Sequence, residues 1–199
     1  MRNRVTGVVG VLSLSVLLGC GGGGGGNPGT GGSGGTGGTG GTSIPGNRKL
    51  MSLTEAEALQ LCGDLQSYEV HNISKLGLCR YSGITTAILS ATIDSTSTDA
   101  DLVTACNLAV DQCIGYPMDP NVSCPLGDPS SCSPTPTVDD LTTCVADDVA
   151  AINATLLALP SCPSITRAWL NANGSTAGTV TTPASCTALA AVCPSFVAM

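Results

Sequence analysis

The sequence predicts a mainly α-helical, small, disulfide-rich domain at residues 48–199, preceded by a disordered glycine-rich tether. Three observations indicate this fold class. Apolar residues recur every three or four positions behind polar capping residues, which is the pattern of an amphipathic helix. Aromatic residues make up only 3% of the chain, so the core has few large side chains. The chain also has 11 cysteines, and disulfides compensate for a small core in exported proteins.

The first element in chain order is an export signal at residues 1–19. Arg2 and Arg4 give it a positive start, and residues 5–18 form a mostly apolar run. This run is shorter than the roughly 20 apolar residues that span a bilayer, and it is typical of a secretory signal. It ends in the sequence LLGC, in which Gly19 precedes Cys20.

The LLGC sequence resembles the lipobox of bacterial lipoproteins. In that family the cysteine is lipidated on sulfur, and cleavage of the signal makes it the first residue. The resemblance implies that acylated Cys20 anchors the protein to a lipid bilayer, durably if two or three acyl chains are attached. Gly21, in place of an aspartate, implies the outer rather than the inner membrane. An ordinary signal peptide with an incidental cysteine is the alternative.

Residues 20–47 are predicted to be the lipidated cysteine and a flexible linker. Glycine occupies 16 of the 27 positions from 21 to 47, and none of these positions is charged. Such a segment buries too little apolar surface to offset the entropy of ordering. As a glycine-rich coil it would have an end-to-end distance of roughly 26–31 Å. A phosphate-binding glycine loop is excluded, because no strand precedes the tract and no GK[ST] motif ends it.

The ten cysteines after Cys20 predict five disulfides. A zinc site is disfavoured because the chain has no C-x₂-C pair and one histidine. Two sets of four cysteines have similar spacing, which predicts an internal duplication with repeats at residues 50–117 and 137–199. Each repeat would be a three-helix unit. Coincidence of spacing is the alternative.

Helix boundaries follow from caps and spacing. Ser52 with Glu55, and Thr98 with Asp101, predict capping boxes at two helix starts. Pro183 predicts the start of a last helix that runs to Cys193. Shorter helical turns are predicted at 83–92 and 164–172. The clearest amphipathic stripe precedes Pro160, and its members are Leu141, Val145, Val149, Ile152, Leu156 and Leu159.

Cysteines seven positions apart lie on one helix face about 10.5 Å apart, so they must bond to neighbouring elements instead of each other. If each repeat runs up, down and up, its first cysteine pairs with its third and its second with its fourth. A two-helix hairpin would reverse that order. With the two cysteines between the repeats closing on each other, the predicted pairs are Cys62–Cys106, Cys79–Cys113, Cys124–Cys132, Cys144–Cys186 and Cys162–Cys193.

The charge balance excludes some partners. Without Arg2 and Arg4 the chain has 5 basic and 14 acidic residues, a net charge of −9. A nucleic-acid ligand is therefore not expected, and neither is attraction of the domain to anionic lipid. Calcium could bind acidic residues near Asp94, Asp99 and Asp101, but the glycine turn and closing glutamate of an EF-hand are missing. Helix capping is the preferred interpretation, and no metal or cofactor is predicted.

No catalytic motif is present: G-x-S-x-G, H-E-x-x-H and P-loop sequences are all missing. His71 is the single histidine, and it is predicted to lie at a helix end in contact with solvent. The sequence therefore favours a non-catalytic, membrane-anchored module that binds an unknown protein or envelope partner. An exported enzyme with an unrecognised site is the alternative.

Overall fold

The computed structural model describes residues 41–118 and 129–194, and these residues form a mainly helical domain, as predicted. Cys20, Cys124 and residues 21–40 lie outside them. The described part has three short 3₁₀ turns, at Leu50–Ser52, Pro129–Ser131 and Cys162–Ser164. It has six α-helices: α1 Glu55–Asn72, α2 Lys75–Ile93, α3 Asp99–Gly115, α4 Val138–Ala158, α5 Arg167–Asn173 and α6 Ala184–Val192.

Three helices begin with a reciprocal capping box. In α1, Glu57 N donates to Thr54 Oγ1 at 3.3 Å while Thr54 N donates to the Glu57 carboxylate at 2.8 Å. The predicted box of Ser52 and Glu55 is wrong, because residues 50–52 form a 3₁₀ turn that buries Leu50 completely. The other two boxes are the predicted Thr98–Asp101 pair of α3 and the Thr137–Asp140 pair of α4, which was not predicted.

The lengths of two helices differ from the prediction. The turn expected at 83–92 is part of the 19-residue helix α2, which begins behind the cap of Ser74. The turn expected at 164–172 is the seven-residue α5, since the 3₁₀ turn Cys162–Ser164 precedes it. Helix α4 ends before Pro160 and α6 begins after Pro183, both as predicted.

Helix α4 is the central element of the domain. It contributes Leu141, Val145 and Val149 to a first core cluster with α1 and α6, and Leu156 to a second with α2, α3 and α5. By length and composition α4 could cross a membrane. Because its residues belong to both core clusters, it has the character of a core helix of a globular domain.

Helices α1 and α4 run parallel. The start of α4 contacts the segment before α1, where Val138 N donates to Arg48 O at 2.9 Å. The end of α1 contacts the second half of α4, where Asn153 Nδ2 donates to Asn72 O at 2.7 Å. Two contacts of α6 with α4, Ser185 with Asp147 and Cys186 with Cys144, show that α6 runs antiparallel to α4.

Helices α2 and α3 form an antiparallel hairpin whose close approach depends on Gly83. A Cβ atom at Gly83 would lie 2.8 Å from Cys106 O and 2.9 Å from Cys106 Sγ. It would also lie 2.8 Å from Val110 Cγ2. The first two atoms belong to backbone and to a disulfide, so they cannot move aside as a flexible side chain can.

Substitution of Gly83 by alanine should therefore lower the free energy of unfolding by about 1–2 kcal/mol, since overpacking outweighs the gain in helix propensity. Gly63→Ala is the matched control, because Gly63 is exposed on α1 and a Cβ there meets no atom within 4 Å. That change should raise stability by about 0.5–1 kcal/mol. Urea denaturation of both oxidised variants checks this. Equal effects would contradict tight packing at Gly83.

Four disulfides lie among the described residues, and two of them are predicted pairs. Cys79–Cys113 joins α2 to α3, and Cys144–Cys186 joins α4 to α6. The other two are Cys106–Cys162 and Cys132–Cys193. Cys62 is also disulfide-bonded, with a partner that is not among the described residues.

The three remaining predicted pairs are wrong, because two observed bonds exclude them. The up-down-up arrangement places α3 beside α1, whereas α3 packs on α2 and on the turn after α4. Cys106 therefore bonds to Cys162, which excludes Cys62–Cys106 and Cys162–Cys193. Cys132 bonds to Cys193, since Ser133 N donates to Val192 O at 2.8 Å and holds the two segments together. This excludes Cys124–Cys132.

The two cysteine sets do not have the matching disulfide order expected of a duplication. The first set pairs its second and fourth cysteines, Cys79 and Cys113, whereas the second set pairs its first and third, Cys144 and Cys186. The bond from Cys106 to Cys162 joins one set to the other. Residues 50–117 contain three long helices, and residues 137–199 contain one long helix and two short ones in the described part. The matching disulfide order predicted for the repeats is therefore wrong.

Candidate functional site

The predicted lipidation site Cys20 lies outside the described residues, but the chain that follows it enters the domain at a defined place. Ser43 N and Oγ donate to the Asp64 carboxylate at 2.8 and 2.6 Å, and Ile44 is buried. Gly46 O accepts from Asp139 N at 2.8 Å. The predicted linker is thus wrong for residues 42–47, which pack on the domain. We call this region, residues 42–49 with the start of α4, the entry pole.

The opposite end of the domain, the distal pole, is where α2 begins and α3 and α4 end. Lys75 Nζ donates to Ile114 O at 2.7 Å, and Ser74 N donates to Asn153 Oδ1 at 2.8 Å. Helix α4 has 21 residues, so its ends are about 30 Å apart. Four large apolar side chains are exposed here, namely Leu76 (48%), Ile114 (45%), Tyr116 (72%) and Leu157 (72%).

A pair of carboxylates lies between α1 and α4. Glu69 follows Leu65 by one helical turn, and Asp148 follows Val145 by three residues, so both extend the apolar stripes by which these helices face each other. Both residues are half-buried. Burial raises the pKa of Glu69, and the negative charge of Asp148 raises that pKa further. Burial also raises the pKa of Asp148.

His71 lies in the last turn of α1 and is exposed, as predicted. Its Nδ1 atom lies 2.6 Å from Ser67 O, so the imidazole N–H donates to a carbonyl of its own helix. Among the hydrogen bonds of the described residues, none joins His71 to a carboxylate. The arrangement of a base and an acid that a Ser-His-Asp site requires is therefore not formed at His71 in the described part.

The acidic residues considered as calcium ligands accept hydrogen bonds at or near helix ends. Asp94 accepts from the hydroxyl and the N–H of Thr96, and these hydrogen bonds lower its pKa. Asp101 caps α3 through Thr98, which lowers the pKa of Asp101. Asp99 accepts from Arg167 N at 2.8 Å. Within residues 41–118 and 129–194, no cluster of three or more acidic, histidine or cysteine side chains could hold a metal ion.

Arg167 has a structural role that the sequence did not reveal. Its guanidinium group donates to three carbonyl oxygens around the end of α2, those of Ala91, Asp94 and Ser97, at 2.7–3.2 Å. Carbonyl groups at a helix end have no intrahelical partner, and a cation there is also favoured by the helix dipole. Arg167 therefore joins the start of α5 to the loop between α2 and α3.

An open groove of about 310 Å³ runs between α4 and α6. Asp140, Thr143 and Ser185 give it a polar side, and Leu189 and Val192 give it an apolar side. Asp140 already accepts hydrogen bonds from Thr137, and Leu189 belongs to the core. The groove therefore presents few groups that are not already used in folding.

Comparison with known proteins gives no relatives: no family model, no curated protein and no solved structure matches the chain.

Two features of these surfaces were missed from the sequence. Ile44 is the one large apolar residue between the glycine tract and Leu50, and this isolated position is a usable signal for the start of the folded domain. The acid pair has no such signal, because Glu69 and Asp148 are 79 positions apart and resemble other exposed helix residues. Only the packing of α1 on α4 brings them together.

Proposed function

We propose that this protein is a membrane-anchored, extracytoplasmic lipoprotein whose helical domain is a non-catalytic binding module. The observation that supports this most is that all nine cysteines of the described residues are disulfide-bonded. Disulfides persist in oxidising compartments and are rare in the cytosol. This agrees with export through the signal at residues 1–19 and with the lipobox-like LLGC sequence that ends at Cys20.

The anchor would lie in the outer membrane, because in bacterial lipoproteins a residue other than aspartate after the lipidated cysteine, here Gly21, implies that location. The domain would be attached through the residues that follow Cys20, because residues 42–47 pack on the domain. The entry pole would therefore be turned towards the bilayer, and the distal pole, about 30 Å away along α4, towards other molecules. A net charge of −9 also disfavours contact between the domain and anionic lipid.

We propose that the distal pole binds an envelope protein with an apolar docking surface. Single exposed apolar residues are ordinary on protein surfaces, but four at one end of a small domain are typical of an interaction site. Tyr116 is exposed to 72% and has the amphipathic character that is common in interface anchors. An exported enzyme remains the second candidate; the exposed position of His71 and its bond to Ser67 O favour the binding module over it.

Site-specific photo-crosslinking in cells tests this proposal. A photoreactive residue at Leu76 or at Tyr116 of the full-length protein should yield a protein adduct of defined mass, and Ile114→Ser should reduce its amount several-fold. The control position is Leu59, which is 62% exposed on the first half of α1, away from the distal pole. Adducts of equal yield at Leu59, or adducts to lipid at Leu76, would contradict the proposal.

A further inference from the structure

The interface between α1 and α4 combines apolar packing with two half-buried acidic side chains, Glu69 and Asp148. Both lie just before the hydrogen bond that Asn153 Nδ2 donates to Asn72 O at 2.7 Å, so they occupy a similar level of the two parallel helices. The apolar part consists of Leu61, Leu65 and Tyr68 on α1 against Val145 and Val149 on α4. Glu69 and Asp148 continue these two stripes and are half-buried. Two like charges in a partly desolvated interface repel each other, and burial disfavours each of them further.

No cation among residues 41–118 and 129–194 neutralises either carboxylate. Among the described charged residues, only Asp148 acts on Glu69 through its charge, and burial alone raises the pKa of Asp148. Helix α6, which also packs on α4, has no titratable side chain apart from bonded Cys186. On α2, Lys75 is bound to Ile114 O, and Arg80 does not alter the pKa of either acid. Asp147 accepts a hydrogen bond from Ser185 Oγ at 2.6 Å, and His71 is bound to Ser67.

We propose that this interface is a pH-sensitive contact, in which protonation of Glu69 and Asp148 tightens α1 on α4 and ionisation of both loosens it. Protonation of either carboxyl group removes the charge repulsion between the two and the cost of burying that charge. The helices would remain connected when the contact loosens, because α1 leads directly into α2, Cys79–Cys113 joins α2 to α3, and Cys106–Cys162 joins α3 to the turn after α4.

The sign of the pH dependence follows from the direction of the pKa shifts. Both pKa values are raised in the folded protein, above the ordinary 4.5 of glutamate and 3.8 of aspartate. As pH falls from neutral through the raised values, the folded state takes up protons that the unfolded state does not yet bind, so stability increases. The increase in stability is complete once the pH has fallen to the ordinary pKa values of the two side chains. Capping carboxylates such as Asp101 have a lowered pKa, so their contribution to stability is lost only at a pH below the ordinary values.

The test is the thermal unfolding midpoint of the full-length, oxidised protein between about pH 7.5 and about pH 5. The midpoint should rise by several degrees on acidification. Glu69→Gln and Asp148→Asn should each raise the midpoint at neutral pH and remove most of the rise. Asp147→Asn is the matched control, since Asp147 is exposed next to Asp148. His71→Gln is a second control, since His71 is exposed two residues after Glu69 on α1. Both controls should retain the rise.

Hydrogen exchange gives a readout that does not require the variants to be equally stable. Amide protection in the second half of α1 should increase on acidification in the wild-type protein, after correction for the intrinsic exchange rate, and should be independent of pH in Glu69→Gln. A midpoint that does not rise on acidification would overturn the proposal. The same rise in the Glu69→Gln/Asp148→Asn double variant as in wild type would overturn it as well.

Discussion

Replacing Cys20 with serine should convert the protein from a membrane-bound to a soluble or unprocessed form. Thioether lipidation requires the thiol, so the serine variant would have no site for the acyl chains that the proposed lipoprotein carries on Cys20. Each buried methylene group contributes about 0.8 kcal/mol to that attachment, so loss of all chains removes essentially all membrane affinity. The domain itself offers no replacement, because its net charge of −9 disfavours anionic lipid.

Metabolic labelling with a fatty-acid analogue, followed by membrane fractionation, measures this effect. The wild type should carry the label and sediment with membranes, whereas Cys20→Ser should lack the label. Gly21→Asp is the control, because it retains the thiol; by the lipoprotein resemblance it should remain labelled and shift to the inner membrane. Unchanged membrane association and unchanged mobility of Cys20→Ser would show that the lipoprotein interpretation is wrong.

Removal of the disulfide between Cys106 and Cys162 should lower the free energy of unfolding by about 2–4 kcal/mol. This bond connects α3 to the turn after α4 across a sequence separation of 56, and both residues are buried in the second core cluster. A Cys106→Ala/Cys162→Ala double variant avoids free thiols. It loses both the constraint on the unfolded chain and the packing of two sulfur atoms. Denaturant unfolding of the oxidised protein measures the loss.

The matched control is Cys79→Ala/Cys113→Ala, which removes a bond of sequence separation 34 between adjacent helices. Its entropic contribution is smaller by only about 0.4 kcal/mol. The effect should still be clearly smaller, because Cys113 is partly exposed and α2 and α3 stay packed around Gly83. A Cys106→Ala/Cys162→Ala variant that is as stable as wild type would contradict the predicted role of this bond in joining α3 to the turn after α4.

A disulfide map of the purified protein should also identify the partner of Cys62. Eight cysteines are in the four described bonds, and Cys62 is bonded as well, so Cys20 and Cys124 are the two that remain. If Cys20 carries lipid, Cys124 is the partner left for Cys62. Intact mass should then show ten hydrogens lost through five bonds, with no thiol that reacts after denaturation.

The local structure of this chain was largely readable from its sequence. The Thr98–Asp101 cap, the apolar stripe from Leu141 to Leu159 and the prolines that bound α4 and α6 were recognised because each signal lies within a few residues. Part of the disulfide pattern was also predicted correctly. Cysteines seven positions apart do not bond to each other, and each one bonds to a different element. The cap of α1 was predicted two residues too early. This error is also a local one, because Ser52-x-x-Glu55 and Thr54-x-x-Glu57 both satisfy the capping pattern.

The tertiary structure decided which helices are neighbours, and with them the partners of Cys106, Cys132 and Cys162. The sequence predicts an export signal at the N-terminus, which stays a prediction. By itself it determined that the chain has enough cysteines to stabilise a small core through disulfides, and that the domain is helical. These properties follow from composition and from patterns no longer than a helix. Packing of α1 on α4, and of α3 on α2, depends instead on the shapes of complete helix faces, such as the gap at Gly83 that admits Cys106. The acid pair of Glu69 and Asp148 arises from the same packing, because residues distant along the chain become close only when whole helix surfaces fit together.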